Sequence, residues 1–176
     1  MNYEILDKLF FCKKCNSDLH FYNSNNLTKE KNIIKCEKCN FKIESQYGVF
    51  DFNLKSNYKK KSYDKIWKRV EYFDAKTNYY NKEKILINSS KELFKNKIIL
   101  EAGVGDGRHL DLLIKNKPSC IVCIDAFDSI YLARKRYDNM GININIVFIK
   151  DDLLDSPIKS RSIDTIWSIG VLSVVK

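Results

Sequence analysis

Two groups of residues in this 176-residue chain have the types and spacing to do chemistry. The first is Glu101-Ala102-Gly103-Val104-Gly105-Asp106-Gly107, an acidic residue followed by glycines at every second position. It continues the apolar run Ile98-Ile99-Leu100 and leads into Arg108-His109-Leu110, the start of a helix. A strand that stops in a glycine turn and feeds a helix N-terminus aims backbone N–H groups at one spot and so builds a cofactor crevice. Dinucleotide binders space their glycines G-x-G-x-x-G, the third packing the helix against the sheet. Arg108 occupies that third position here, which argues against NAD or FAD. The second group is Cys12-x-x-Cys15 and Cys36-x-x-Cys39, with twenty residues between the pairs. Two such knuckles present four thiolates to one ion and read as a closed, structural zinc site. Asn16 and Asn40 follow the knuckles, where the turns need residues that tolerate a left-handed backbone. The alternatives for these thiols are two disulfides or four buried side chains. Disulfides are disfavoured because nothing marks the chain for export.

Beyond the glycine run, Cys120-Ile121-Val122-Cys123-Ile124-Asp125 is a short apolar strand ending in a carboxylate. Asp125 lies 22 positions after Gly103, a spacing that suits a group accepting hydrogen bonds from ribose hydroxyls. Cys120 and Cys123 also have two residues between them, but inside a strand, and read as small buried apolar side chains. A third strand, Ile144 to Ile149, ends in Lys150-Asp151-Asp152-Leu153-Leu154. A fourth follows in Ile163-Asp164-Thr165-Ile166-Trp167-Ser168-Ile169-Gly170.

These four elements, in this order from residue 98 to residue 175, resemble the class I S-adenosylmethionine (SAM)-dependent methyltransferases, in particular those of type 11. The resemblance implies SAM as cofactor. It implies that Glu101, Gly103, Gly105, Gly107, Asp125 and Ala126 line its ribose and methionine parts. It aligns Asp152 with the carboxylate that binds the adenine amino group and sets the Leu153 backbone at the ring edge. Asp151 stands where the family often has glycine. Ser168 falls at the end of the fourth strand, above the sulfonium. Family members often carry two histidines soon after. This chain has Ser173 and Val174, so no catalytic base is assigned.

The elements that must position these residues form an α/β fold. We expect a partial, Rossmann-like, doubly wound parallel sheet of strand order 3-2-1-4, with helices on both faces, truncated after the fourth strand relative to the family's seven. A zinc-ribbon module precedes it. The expected division is 1–55 for the zinc ribbon, 56–96 for a helical linker or lid, and 97–176 for the first part of the methyltransferase domain. In the ribbon, short strands fall at Leu19–Tyr22, Ile33–Lys35 and Phe41–Ile43, and Ser45–Phe52 resembles a closing strand. In the linker, Ile66, Trp67, Val70 and Phe73, and more loosely Ile85, Leu86, Leu93 and Phe94, have helical spacing. The ribbon is too small to bury much core, so metal supplies much of its stability.

The formal charge is +9, and the whole excess precedes residue 98. A basic module attracts nucleic acid or anionic phosphates. Yet the excess is lysine: Arg69 is the sole arginine before residue 98, and arginine is the residue suited to bidentate phosphate contact. A small-metabolite methyl acceptor is therefore favoured over ribosomal or transfer RNA, although some ribosomal-RNA guanine methyltransferases share a zinc-finger-first layout. A truncated, non-catalytic binding subunit is the alternative from another class. No apolar run is long enough to span a membrane. Reduced cysteines and an acidic, unsignal-like start point to the cytoplasm. The open edge of the fourth strand invites association with a second copy or another chain.

Overall fold

The computed structural model of the chain describes residues 3–24, 31–52 and 78–171. The helix expected around Ile66, Trp67, Val70 and Phe73 lies outside these residues, as do residues 172–176. Among the described residues no helix is long and apolar enough to cross a membrane.

The C-terminal half follows the strand order that the resemblance implies. Strands β5 (Ile98–Ala102), β6 (Cys120–Asp125), β7 (Ile146–Lys150) and β8 (Thr165–Trp167) pair in parallel as β7-β6-β5-β8. Helices α3 (Leu110–Lys115) and α4 (Ser129–Asn139) make the crossovers between β5, β6 and β7. The chain runs from β5 outward to β7 and then returns to β8 on the other side of β5. The carboxyl ends of β5 and β8 therefore flank a topological switch point, where open α/β sheets bind ligands. Asp164 helps set the register of β8, its carboxylate accepting from the Ile98 amide at 2.8 Å.

A fifth strand was not expected. Residues Val49–Asp51 form β4, which does not close the ribbon but pairs in parallel with β7 and extends the main sheet. Its side chains explain the choice. Val49 and Phe50 are both buried, on opposite faces of the sheet. Each contributes about 1.5–3 kcal/mol that an exposed closing strand would forgo. Asp51 adds an ion pair to Lys150 at the end of β7, 3.2 Å away.

The ribbon itself consists of α1 (Tyr3–Asp7) and the antiparallel strands β1 (His20–Ser24), β2 (Lys31–Lys35) and β3 (Lys42–Glu44). It is packed into the sheet rather than strung before it. One face of the sheet, through Ile99, Ile121, Cys123, Ile146 and Phe148, meets α3 and α4. The other face, through Leu100, Val122, Ile124, Val147 and Ile149, meets Leu6, Leu9, Phe10, Phe21 and Ile34 of the N-terminal module. Helices were expected on both faces. Among the described residues the module takes that role on one of them. The near-continuous apolar runs of buried parallel strands make both faces apolar, so both need a cover.

Helix α2 (Asn78–Ser89) precedes a short 3-10 turn at Lys91–Leu93. Its inward face differs from the loosely spaced apolar set read from the sequence. Ile85 and Leu86 are exposed, whereas Glu83 and Ile87, one turn apart, are buried. A buried carboxylate on this face is possible because a histidine meets it, as described next.

Candidate functional site

The glycine loop leaves β5 with three left-handed residues, Gly103, Gly105 and Gly107, at φ +76°, +56° and +78°. Side chains rarely adopt that conformation. Close packing adds a second reason at two of them. A Cβ on Gly103 would lie 2.2 Å from Val171 Cγ2, and one on Gly107 would lie 2.9 Å from the Ala133 backbone in α4. The loop is pinned from the neighbouring strand: the Gly103 and Val104 amides donate to the Ile124 carbonyl at 2.8 and 3.1 Å.

Asp125, at the end of β6, grips the same loop. Its Oδ2 accepts from the Gly105 amide at 2.8 Å, and its Oδ1 accepts from the Phe127 amide at 2.9 Å. Two backbone donors thus hold this carboxylate in place at the mouth of the loop. Ala126 follows, half-buried. Asp152 caps the 3-10 turn Leu153–Asp155 through the Leu154 amide at 3.0 Å, with Leu153 half-buried in that turn. Ser168, after β8, donates to the Ala102 carbonyl at 3.3 Å. The structure thus gathers the glycine loop, Asp125, Asp152 and Ser168 at the carboxyl ends of β5 to β8.

Glu101 is placed differently. It lies in β5 with 2% of its surface exposed, and among the described residues neither carboxylate oxygen has a hydrogen-bond partner. Its nearest cation is His109, whose Nδ1 is 3.6 Å from Oε1. His109 Nε2 lies 2.6 Å from Glu83 Oε2 of α2. Burial raises the Glu101 carboxyl above its ordinary value. Burial alone would lower the His109 imidazole, but the carboxylates of Glu101 and Glu83 outweigh it and hold the imidazole above 6.5. The Trp167 ring closes the cluster edge-on at 5.9 Å from His109. Glu101 therefore sits beneath the loop and ties it, through His109, to α2. Sequence reading missed Glu83 and His109. Only the histidine next to the glycine run was a signal, since nothing local marks a glutamate 26 positions upstream.

The four knuckle cysteines converge. Their sulfur atoms all lie within 4.8 Å of one another, with Cys12–Cys39 and Cys15–Cys36 both at 3.5 Å. Tetrahedral zinc bound at about 2.3 Å sets its thiolates about 3.8 Å apart, so the donor set and its spacing fit that ion. Asn16 and Asn40 take φ +57° and +56°, the left-handed turns the knuckles require. Hydrogen bonds from the Ser17 amide and hydroxyl hold the Cys15 thiol down to about 6, whereas burial pushes Cys12 up to about 12. A bound dication deprotonates coordinating thiols outright. The other pair, Cys120 and Cys123, is buried in β6 and far from thiolate character, with burial pushing Cys120 up to about 12.

The two sites touch. Lys13, between Cys12 and Cys15, reaches Asp151 at 3.0 Å and Asp155 at 2.7 Å. Asp151 is the residue that stands where the family often has glycine. Its side chain is 3% exposed, and burial raises its carboxyl to about 6 even against the Lys13 charge.

Comparison with known proteins decides the fold family of the C-terminal part. Residues 99–176 match the family model described as a methyltransferase domain. This part of the chain is similar to methyltransferase domains. A protein from Methanococcus maripaludis, assigned as an S-adenosyl-L-methionine-dependent methyltransferase, superposes with TM-score 0.54 at 21% identity over 69% of this chain and 55% of its own. A Galdieria sulphuraria protein assigned as a sarcosine dimethylglycine methyltransferase gives 0.45 at 20% identity, over 49% of this chain and 35% of its own. The Trypanosoma brucei PRMT1 enzyme–prozyme heterotetrameric complex with AdoHcy gives 0.45 at 21% identity, over 49% and 27%. The chain spans about a quarter to a half of the length of these structures. A search of curated protein sequences finds no match.

Proposed function

We propose that the protein binds SAM at the carboxyl ends of β5 to β8 and transfers its methyl group to an acceptor. The observation that carries this is the Asp125 carboxylate holding the Gly105 amide at 2.8 Å within the part of the chain that matches a methyltransferase domain. In this reading Asp125 and Ala126 hold the ribose, Asp152 and the Leu153 backbone face the adenine, and the Gly103–Gly107 loop and Ser168 border the methionine end. Glu101 acts from beneath the loop, where it faces His109. Methyl transfer from a sulfonium needs mainly proximity and orientation, so no catalytic base is assigned.

The acceptor we favour is a small metabolite. Several lysines of the module are already engaged: Lys13 with Asp151 and Asp155, Lys35 with Glu37, Lys42 with Glu44, and Lys14 over the Phe41 ring. Those pairings compete with phosphate contacts for the same lysines, while the net charge stays +9. The same charge excess is what supports the RNA reading, and salt-dependent RNA binding would revive it.

The four cysteines would hold a structural zinc ion, which fits a reducing compartment such as the cytoplasm. We keep the division 1–55, 56–96 and 97–176, with β4 lending a strand to the third unit's sheet. The edge of β8 supports association with another chain, since Ile166 there is 65% exposed.

Calorimetric titration of SAM into the zinc-loaded chain, with a sizing run on the same sample, tests the proposal. Micromolar binding is expected. No binding by a folded, zinc-loaded chain would overturn the cofactor assignment and favour a non-catalytic binding subunit.

A further inference from the structure

We propose that Lys13 is a positioning residue through which metal occupancy of the four-cysteine site sets the affinity of the cofactor crevice. This rests on the reading of that crevice as a SAM site and adds its regulation.

The observations form one continuous connection. Lys13 sits inside the first knuckle, flanked by two residues that would coordinate the metal. Its ammonium contacts both oxygens of Asp151, at 3.0 and 3.2 Å, and Asp155 at 2.7 Å. These two carboxylates bracket Asp152, the residue assigned to the adenine. Asp151 in turn holds the backbone there: its Oδ1 accepts from the Asp152 amide at 2.9 Å, and its own amide donates to the Asp125 carbonyl at 3.0 Å. The far end of the same loop is bound to the same segment. The Phe11 amide donates to the Pro157 carbonyl and the Lys159 amide to the Leu9 carbonyl, both at 2.8 Å, around an antiparallel bridge between Phe10 and Ile158. Lys159 also pairs with Asp18 beyond the knuckle at 2.7 Å. Residues 9–18 and 151–159 therefore form one antiparallel unit, and the ligands Cys12 and Cys15 flank Lys13 at the end that carries Asp151 and Asp152.

Metal binding orders a knuckle that is otherwise a flexible turn. With the metal present, Lys13 is held over Asp151 and Asp155. Without it the lysine is released, and a buried carboxylate without its cation must take up a proton or turn toward water. Either response alters the hold of Asp151 on the Asp152 amide. Metal and cofactor then stabilise the same arrangement, and coupling between two such sites is reciprocal and typically about 5- to 150-fold.

The test uses the full chain. SAM and 5′-methylthioadenosine, which lacks the amino-acid portion, are titrated calorimetrically into zinc-loaded wild type, chelator-treated wild type, and Lys13→Met with and without zinc. Cobalt substitution reports metal binding independently through the thiolate charge-transfer band. Lys13→Met is expected to retain one metal per chain and to lose about tenfold in affinity for both ligands. Chelation should cost wild type a similar factor and the variant little more, and Lys13→Arg should restore most of the loss. Unchanged affinity in zinc-loaded Lys13→Met would overturn the proposal, as would an equal further loss on chelating the variant. If zinc-loaded wild type binds no SAM, the cofactor reading fails instead. Hydrogen exchange at the Lys159 and Leu154 amides then judges the coupling alone. Faster exchange on zinc removal supports it, and unchanged exchange sinks it.

Discussion

The replacement His109→Gln tests the buried cluster under the glycine loop. His109 is 5% exposed and faces Glu83 at 8% and Glu101 at 2%, with the Trp167 ring on the remaining side. Glutamine keeps hydrogen-bonding capacity but removes the only cation that the described residues place between the two carboxylates. Breaking a buried ion pair by deleting one partner costs about 3–5 kcal/mol. Burial already raises the Glu101 carboxyl, so it takes up a proton once the imidazolium is gone, which holds the loss near 3 kcal/mol. For a chain of this size that lowers Tm by roughly 6–12 °C. The pH dependence follows from the direction of the shift. The folded-state imidazole lies above its ordinary 6.5, so its stabilisation is fully present below about 6.5 and fades as pH rises through the folded value. Thermal and urea unfolding of the zinc-loaded proteins should show the widest gap between wild type and variant near pH 6, narrowing toward about pH 9. Glu83→Gln should cost less, because Glu101 still faces the histidine, and the double variant should fall short of additivity. A gap below about 1 kcal/mol near pH 6, or one that widens with pH, would refute the ion-pair account.

Gly107→Ala forces a left-handed backbone on an L-residue and drives its Cβ to 2.9 Å from α4. A loss of about 2–4 kcal/mol in urea unfolding is expected, with weaker SAM binding. Asp125→Asn keeps the shape but weakens the acceptor that fixes the Gly105 amide. SAM affinity should fall by about tenfold or more in calorimetry while the fold persists by circular dichroism. Burial keeps the Cys120 and Cys123 thiols protonated. In zinc-loaded native protein neither should react with iodoacetamide, and peptide mapping should find them labelled only after unfolding.

Local pattern announced much of this protein. The strand, glycine turn and helix from Ile98 to Lys115 are legible because glycine at alternate positions has few other uses, and Cys-x-x-Cys knuckles because ligand geometry constrains spacing. The order of β7, β6, β5 and β8 was implied by the resemblance to the class I methyltransferases that the motifs carry. Three features were decided only in three dimensions. Val49–Asp51 could have closed the ribbon, and only the burial of Val49 and Phe50 on the two faces of the main sheet, with the ion pair to Lys150, made that sheet the better partner. Glu83 and His109 meet across 26 residues, and a charge can be buried on a helix only where tertiary packing supplies its counter-ion. Lys13 lies 138 residues from Asp151, and its role depends on the module folding over one face of the sheet. Short-range spacing therefore determined which chemistry the chain could hold. Long-range burial decided which charges hold that chemistry in place, because the cost of an unpaired buried charge depends on neighbours that no local window contains.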